Sequence, residues 1–317
     1  MMKTRFAALS TAAVAALVLT ACGGSTDTAG TTETSAAAST VTVEHAQGTT
    51  EVPVDPETVY TFDLGVLDTL DALEVPVTGV PQGNLPEQLS AYEGGEVTNI
   101  GGMQEPDFEA IAAGAPDLII ISGRVADSYE ELSAIAPTID LSTDAADPIA
   151  SFTENTEYLG QIFGVEDMVT ERLDALTTKM DETEAAAADA GTGLIVMTSG
   201  GEVTAYGPGS RFGLIHDVLG VEPATEVAMD GRHGEAISFE YIAEADPDHL
   251  FVVDRDAAIG EGGDAAAAIL DNELVNGTQA AQNDAITYLD SASWYLIGYG
   301  LNNLDAMVTT INEAVSA

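Results

Sequence analysis

The chain has 317 residues, of which 53 are acidic and only 8 are lysine or arginine, giving a formal net charge of −45. So few cations exclude a nucleic-acid partner, because phosphate backbones are held by many lysines and arginines. The lone cysteine excludes a disulfide within the chain.

The first segment, MMKTRFAALSTAAVAALVLTAC, places Lys3 and Arg5 ahead of an apolar stretch from Phe6 to Leu19. Small residues then lead to Cys22. This is the pattern of a secretory signal peptide over residues 1–21, too short to span a membrane as a helix. The closing cysteine makes it a lipoprotein signal, with cleavage before Cys22 and lipid on its sulfur. The mature protein is then expected outside the cytoplasm, anchored to the outer face of the cell membrane. Its cations are six: Arg124, Arg172, Lys179, Arg211, Arg232 and Arg255. Residues 22–40 carry no large apolar side chain after the cysteine and read as a flexible tether.

Residues 41–63 alternate in the manner of strands. Val41 and Val43, then Val52 and Val54, flank a Gly48-Thr49 turn and predict a hairpin. A strand begins over Val59 to Phe62. The spacing predicts a helix over 64–73, a strand over 75–80, a helix over 107–115 and a buried strand over 117–122. This alternation predicts α/β layers with a mainly parallel sheet.

Residues 108–124, FEAIAAGAPDLIIISGR, return as FEYIAEADPDHLFVVDR at 239–255, identical at seven of seventeen positions without a gap. Each copy is a helix, a Pro-Asp turn, an apolar strand and an arginine. Two similar lobes are expected, an N-terminal α/β lobe over 41–150 and a C-terminal one over 191–317. Apolar residues three, four or seven apart from Phe152 to Met180 predict one long joining helix over 151–190, with a candidate break at Gly164. Strands are predicted at 194–199 and 202–206, and a last amphipathic helix at 301–315.

Ligands of open α/β sheets bind beyond the carboxyl ends of the strands. Arg124 follows the 117–122 strand, Arg255 follows LFVVD directly, and Arg211 lies in the loop GPGSRFG after EVTAY. Each could instead pair with one of the many local acids, for little energy. A shared role for all three requires an anionic ligand. GRHGEAIS, residues 231–238, sets Arg232 and His233 between glycines on a loop before a helix starting near Ser238. That context makes His233 a candidate ligand residue, whereas His45, His216 and His249 sit in predicted strands or a helix and read as structural. No G-x-S-x-G, P-loop or H-E-x-x-H motif occurs, GGMQEPDFEA is no metal site, and nothing requires an enzyme.

Taken together, the lipoprotein signal, VTVEHAQGTTEVPVDPETV, PDLIIISGR, GPGSRFGLIHDVLG, PDHLFVVDRD and SWYLIGYGLNNL resemble the substrate-binding lipoproteins of ferric-siderophore ABC importers. The resemblance runs over nearly all of residues 41–317 and is closest to the group handling catecholates. It implies two Rossmann-like lobes joined by one long helix, with a shallow cleft between them. It implies that Arg124, Arg211 and Arg255 line that cleft, with Arg232 adding positive potential at its rim. His233 and Tyr295 match residues that bind iron directly, Tyr288 and Tyr299 being close rivals of Tyr295. No intrinsic cofactor is implied; the ferric siderophore is the transported ligand. The implied partners are an ABC permease and its ATPase, with the protein a monomer. The chain departs from some relatives in having no lysine in the first lobe, which bears on the identity of the siderophore. Haem, cobalamin or a hydroxamate siderophore are alternative ligands, and a sensor or adhesin without transport is an alternative of another class.

Overall fold

The alternating valines do form a hairpin. In the computed structural model, which describes residues 39–228 and 234–317, strands β1 (Thr40–His45) and β2 (Gly48–Pro53) pair antiparallel, with Val41 opposite Val52. The signal peptide, Cys22, Arg232 and His233 lie outside the described residues. The hairpin turn falls at Ala46-Gln47, not at Gly48-Thr49, because His45 already pairs with Gly48. Gly48 opens β2 at φ 137°, a conformation that a side chain would oppose.

The first sheet collects β3 (Val59–Thr61), β4 (Gly79–Val80), β5 (Thr98–Asn99), β6 (Leu118–Ile121) and β7 (Thr138–Asp140) in the order β5-β4-β3-β6-β7, all parallel. Helices α1 (Leu64–Ala72), α2 (Phe108–Gly114) and α3 (Tyr129–Ser133) lie along the connections. All four residues of β6 are buried, as expected of a continuous apolar run in a parallel sheet. The strand expected over 75–80 contracts to Gly79–Val80. Pro76 has no N–H to give a ladder, although Val75 and Val77 are still buried.

The joining segment is two helices rather than one. Helix α4 (Pro148–Phe163) ends at Gly164, left-handed at φ 66°, and α5 (Glu166–Ala187) starts afresh. Glycine at that position is the ordinary way to stop a helix. Helix α4 belongs with the first sheet: Asn155 donates to the Leu141 carbonyl beyond β7. Only α5 carries the chain across to the second sheet.

That second sheet is built from β8 (Thr192–Ser199), β9 (Glu202–Tyr206), β10 (Glu222–Pro223), β11 (Glu235–Ile237), β12 (His249–Asp254) and β13 (Ile286–Tyr288). Its order is β11-β9-β8-β12-β13, with β10 beside the first residues of β8. Strands β8, β10, β12 and β13 are parallel, whereas β9 and β11 run against their neighbours. Short helices α6 (Phe239–Ala245), α7 (Arg255–Ala258), α8 (Ala266–Leu270) and α9 (Gln279–Gln282) connect them, and α10 (Leu301–Val315) closes the chain. Helix α10 packs along α5 and also on α1, so it ties the two halves together. Among the described residues no helix is long and apolar enough to cross a membrane.

The repeat is structural. Helix α2 ends on Ala115 and α6 on Asp246, both left-handed, at φ 46° and 41°. Ile111 and Ile242, equivalent in the repeat, are each fully buried. The Pro-Asp turn explains its own recurrence. Asp117 Oδ2 accepts from the backbone N–H of Thr58 at 2.8 Å and of Glu57 at 3.2 Å, just ahead of β3. Asp248 Oδ2 accepts from Thr192 N–H at 2.8 Å and Thr192 Oγ1 at 3.1 Å, at the start of β8. Each aspartate thus pins the start of the neighbouring parallel strand. Asp248→Ala is expected to cost about 1–3 kcal/mol, since the freed donors lose a charged acceptor. Urea unfolding checks this; an unchanged midpoint would remove the strand-pinning role.

Where α1 meets α10, the packing is close. Buried Asp68 accepts from the N–H groups of Asn302 and Asn303 at 2.9 and 3.0 Å, satisfying donors that the start of α10 leaves unpaired. Burial pushes its carboxyl pKa up, and those N–H groups oppose the rise. On the other flank, Lys179 binds Asp305 at 2.5 Å and Arg172 donates to Asn302 at 2.6 Å. Two of the scarce cations therefore serve the α5–α10 contact.

Candidate functional site

The remaining described cations meet at one residue. Arg124 stands in the turn Ser122-Gly123-Arg124-Val125 at the carboxyl end of β6. That turn is closed by Val125 N–H on the Ser122 carbonyl and fixed to α1 through Ser122 Oγ and Asp63. Its Nη2 donates to the Leu296 carbonyl at 3.0 Å and reaches the Tyr295 carbonyl at 3.4 Å. Arg211 Nη2 donates to the same Tyr295 carbonyl at 3.0 Å, and its guanidinium carbon lies 4.2 Å from the centre of the Tyr295 ring. Arg255, directly after β12, donates from Nε to the Tyr295 hydroxyl at 3.0 Å and from Nη1 to Ser199 Oγ at 3.2 Å.

One inference from the sequence fails here although its residue is right. Strand β9 runs antiparallel to β8, so Arg211 does not follow the carboxyl end of a parallel strand. The loop after β9 and a π-helical turn over Leu214–Val218 carry it to the cleft instead. Phe212, fully buried edge-on against Tyr206 at 4.7 Å between ring centres, anchors that loop.

Tyr295 lies in a second π-helical turn, Ser293–Ile297. Tyr288 is 48 % exposed at the end of β13, and Tyr299 lines a different cavity. His45 contacts Thr50, His216 the Val221 carbonyl and His249 the Ala190 carbonyl, so all three are engaged locally. Burial lowers the pKa of His216 and of His45, which keeps both rings neutral. Gly234, the residue after His233, hydrogen-bonds Tyr206, and Tyr206 in turn feels the charge of Arg211.

The two Tyr295-facing arginines differ electrostatically. Burial pulls the Arg211 pKa down, with Tyr295 opposing, and its charge has no carboxylate partner among the described residues. Arg255 is raised instead, chiefly by its hydrogen bond to Tyr295. Asp256 and Glu261 lie 3.6 and 3.8 Å from its Nη1. The three arginines and Tyr295 line a cavity of about 530 Å³, whose far wall is Asn84 and Gly102 to Glu105. A second cavity of about 450 Å³ shares Arg124, Arg211 and Tyr295 with it. The wall at 102–105 was missed in the sequence, where GGMQEPDFEA drew notice only as a rejected metal site. Its signal is a tight turn, Gly102 and Glu105 exchanging backbone hydrogen bonds. Among the described residues no group of three or more His, Cys, Asp or Glu could hold a metal ion.

Two α/β halves with cations from both converging on an open cleft define a two-lobed binding protein for an anion. The chain belongs to the periplasmic binding protein family, whose pattern matches residues 59–293. The petrobactin-binding protein YclQ of Bacillus subtilis (strain 168) is 39 % identical over 314 residues, spanning 98 % of this chain and 99 % of the relative. The YclQ crystal structure has a TM-score of 0.85, at 40 % identity over 88 % of this chain and 99 % of that one. The catecholate-siderophore binding protein VctP of Vibrio cholerae has a TM-score of 0.82 and is 33 % identical over 87 % of this chain and all, 100 %, of its own. The ferric-anguibactin-binding protein FatB of Vibrio anguillarum is 30 % identical over 277 residues, 86 % of each chain. These relatives are extracytoplasmic binding proteins, not enzymes.

Proposed function

We propose that this protein captures anionic ferric catecholate siderophores in the cleft and delivers them to an ABC permease driven by its ATPase. The observation that carries the reading is the convergence of Arg124, Arg211 and Arg255, from both halves, on Tyr295. A ferric ion in three catecholates has six phenolate oxygens and three excess negative charges, which three guanidiniums match. The siderophore-binding names of the relatives support the same class of ligand. A tetradentate bis-catecholate leaves two iron positions open. Tyr295 and His233 fill them, phenolate and imidazole both being suited to iron, and Arg232 adds positive potential nearby. The protein works as a monomer of two lobes, 41–150 and 191–317, held to the outer face of the membrane by lipid on Cys22.

Trp294, buried beside Tyr295 and the chain's only tryptophan, supplies the test. Ferric bis- and tris-catecholates are expected to quench its fluorescence saturably at sub-micromolar concentration. A ferric hydroxamate, haem and cobalamin are expected not to. Quenching by one of those three alone would overturn the ligand class, and no response to any would overturn the siderophore reading.

A further inference from the structure

We propose that Tyr295 is a positioning residue that holds the cleft arginines in place without cancelling their charge, a task separate from any contact with iron. The inference rests on the ferric-catecholate reading for its ligand, and on the empty cleft for its geometry. Gathering guanidiniums in one cleft is opposed by their mutual repulsion. The usual remedy is a carboxylate beside each, and this chain has 53 acidic residues to supply one. Yet among the described residues neither Arg124 nor Arg211 pairs with an acid; only Arg255 does, with Asp256 and Glu261.

Their partners are neutral and come from a single turn. Gly298 N–H bonds back to the Ser293 carbonyl, five residues earlier, and Gly298 at φ 70° then breaks the turn. Helix ends leave carbonyls without an N–H of their own. Here the Tyr295 and Leu296 carbonyls take Arg124 and Arg211. The Tyr295 ring supplies the rest: Arg211 lies 4.2 Å and Arg255 5.7 Å from its centre, and the hydroxyl receives Arg255 Nε. A carboxylate would hold a guanidinium at the cost of its field. A carbonyl or an aromatic face orients it and leaves the full charge for the ligand. The ring sets where the charges of Arg211 and Arg255 point.

The test uses a ferric complex of a hexadentate tris-catecholate, whose iron has no open position for a protein ligand. Tyr295→Phe keeps the face and removes the hydroxyl; Tyr295→Leu keeps the bulk and removes both. By Trp294 quenching, Tyr295→Leu is expected to weaken this complex about tenfold and Tyr295→Phe by no more than about threefold. Wild-type affinity in Tyr295→Leu would overturn the proposal, as would equal losses in both variants. A second readout needs no ligand. In the ¹⁵N-labelled empty protein, the Arg211 side-chain N–H signals are expected to be shifted by the Tyr295 ring current, to remain shifted in Tyr295→Phe and to return to ordinary values in Tyr295→Leu. An unshifted Arg211 in the wild-type protein overturns the proposal by itself, whether or not Tyr295→Leu folds. Failure of the wild-type protein to bind any ferric catecholate would instead overturn the functional reading, and the spectrum would still decide the positioning role.

Discussion

Arg211→Ala is expected to weaken ferric tris-catecholate binding about a hundredfold, and Arg255→Ala by about tenfold or less. Both residues offer a charge-assisted hydrogen bond to the same anion, so environment decides the difference. Arg211 is partly desolvated, as the fall in its pKa records, and no carboxylate offsets it among the described residues. Its charge therefore acts through a low-dielectric path and is poorly screened. The Arg255 side chain is 31 % exposed and has Asp256 and Glu261 within 4 Å, so part of its field is already spent. Salt separates the two further: the Arg255 contribution is expected to fade on going to about 0.5 M salt, the Arg211 contribution to persist. Arg211→Lys is not expected to restore binding. An ammonium lacks the planar fork that reaches the Tyr295 carbonyl, the ring and a ligand together. Trp294 quenching at low and high salt measures all four quantities. Equal losses for Arg211→Ala and Arg255→Ala would show that burial does not rank the cleft arginines.

Gly65→Ala is expected to lower the melting temperature by about 5–15 °C, from an overpacking cost of about 2–4 kcal/mol. Gly65 lies on the first turn of α1, and a Cβ there would come within 2.3 Å of the Tyr299 carbonyl oxygen. That neighbour is backbone, so it cannot swing aside as a side chain would. It sits in the bend between the Tyr295 turn and α10, held on its far side by Asp68 accepting from Asn302 and Asn303. Gly300 makes the mirror contact, with 2.5 Å to Asp68 Oδ2 for its own added Cβ. The junction of α1 with α10 is therefore closed from both sides by missing side chains. Displacing Tyr299 also moves the segment whose carbonyls hold Arg124 and Arg211, so ligand affinity should fall with stability. Gly95→Ala, at an open site without positive φ, serves as a control and should be neutral. Thermal unfolding by circular dichroism decides; a Gly65→Ala protein melting with the wild type would mean that the α1–α10 contact yields freely.

Much of this was legible in the chain because it rests on local pattern. The repeat at 108–124 and 239–255 announced both halves, since helix period, turn chemistry and a buried run are all written within seventeen residues. Helix α10 matches its expected bounds, because its amphipathic face and the glycine before it are local signals. The three cleft arginines stood out because cations are so scarce that each needs a reason. The break at Gly164 was visible as a candidate but not its completeness, which depends on α4 packing with the first sheet.

What the sequence by itself determined is the α/β class, the two similar halves, the secretory signal and the set of cations available to a ligand. Only the tertiary structure decided the antiparallel run of β9, the cleft wall at 102–105 and the choice of Tyr295 over Tyr288 and Tyr299. The reason is distance along the chain. Arg124 meets Leu296 across 172 positions and Arg255 meets Tyr295 across 40, and no periodicity or motif spans such gaps. Which residues share a cleft follows from how two sheets and α10 pack, and that packing is settled by burial summed over the whole chain.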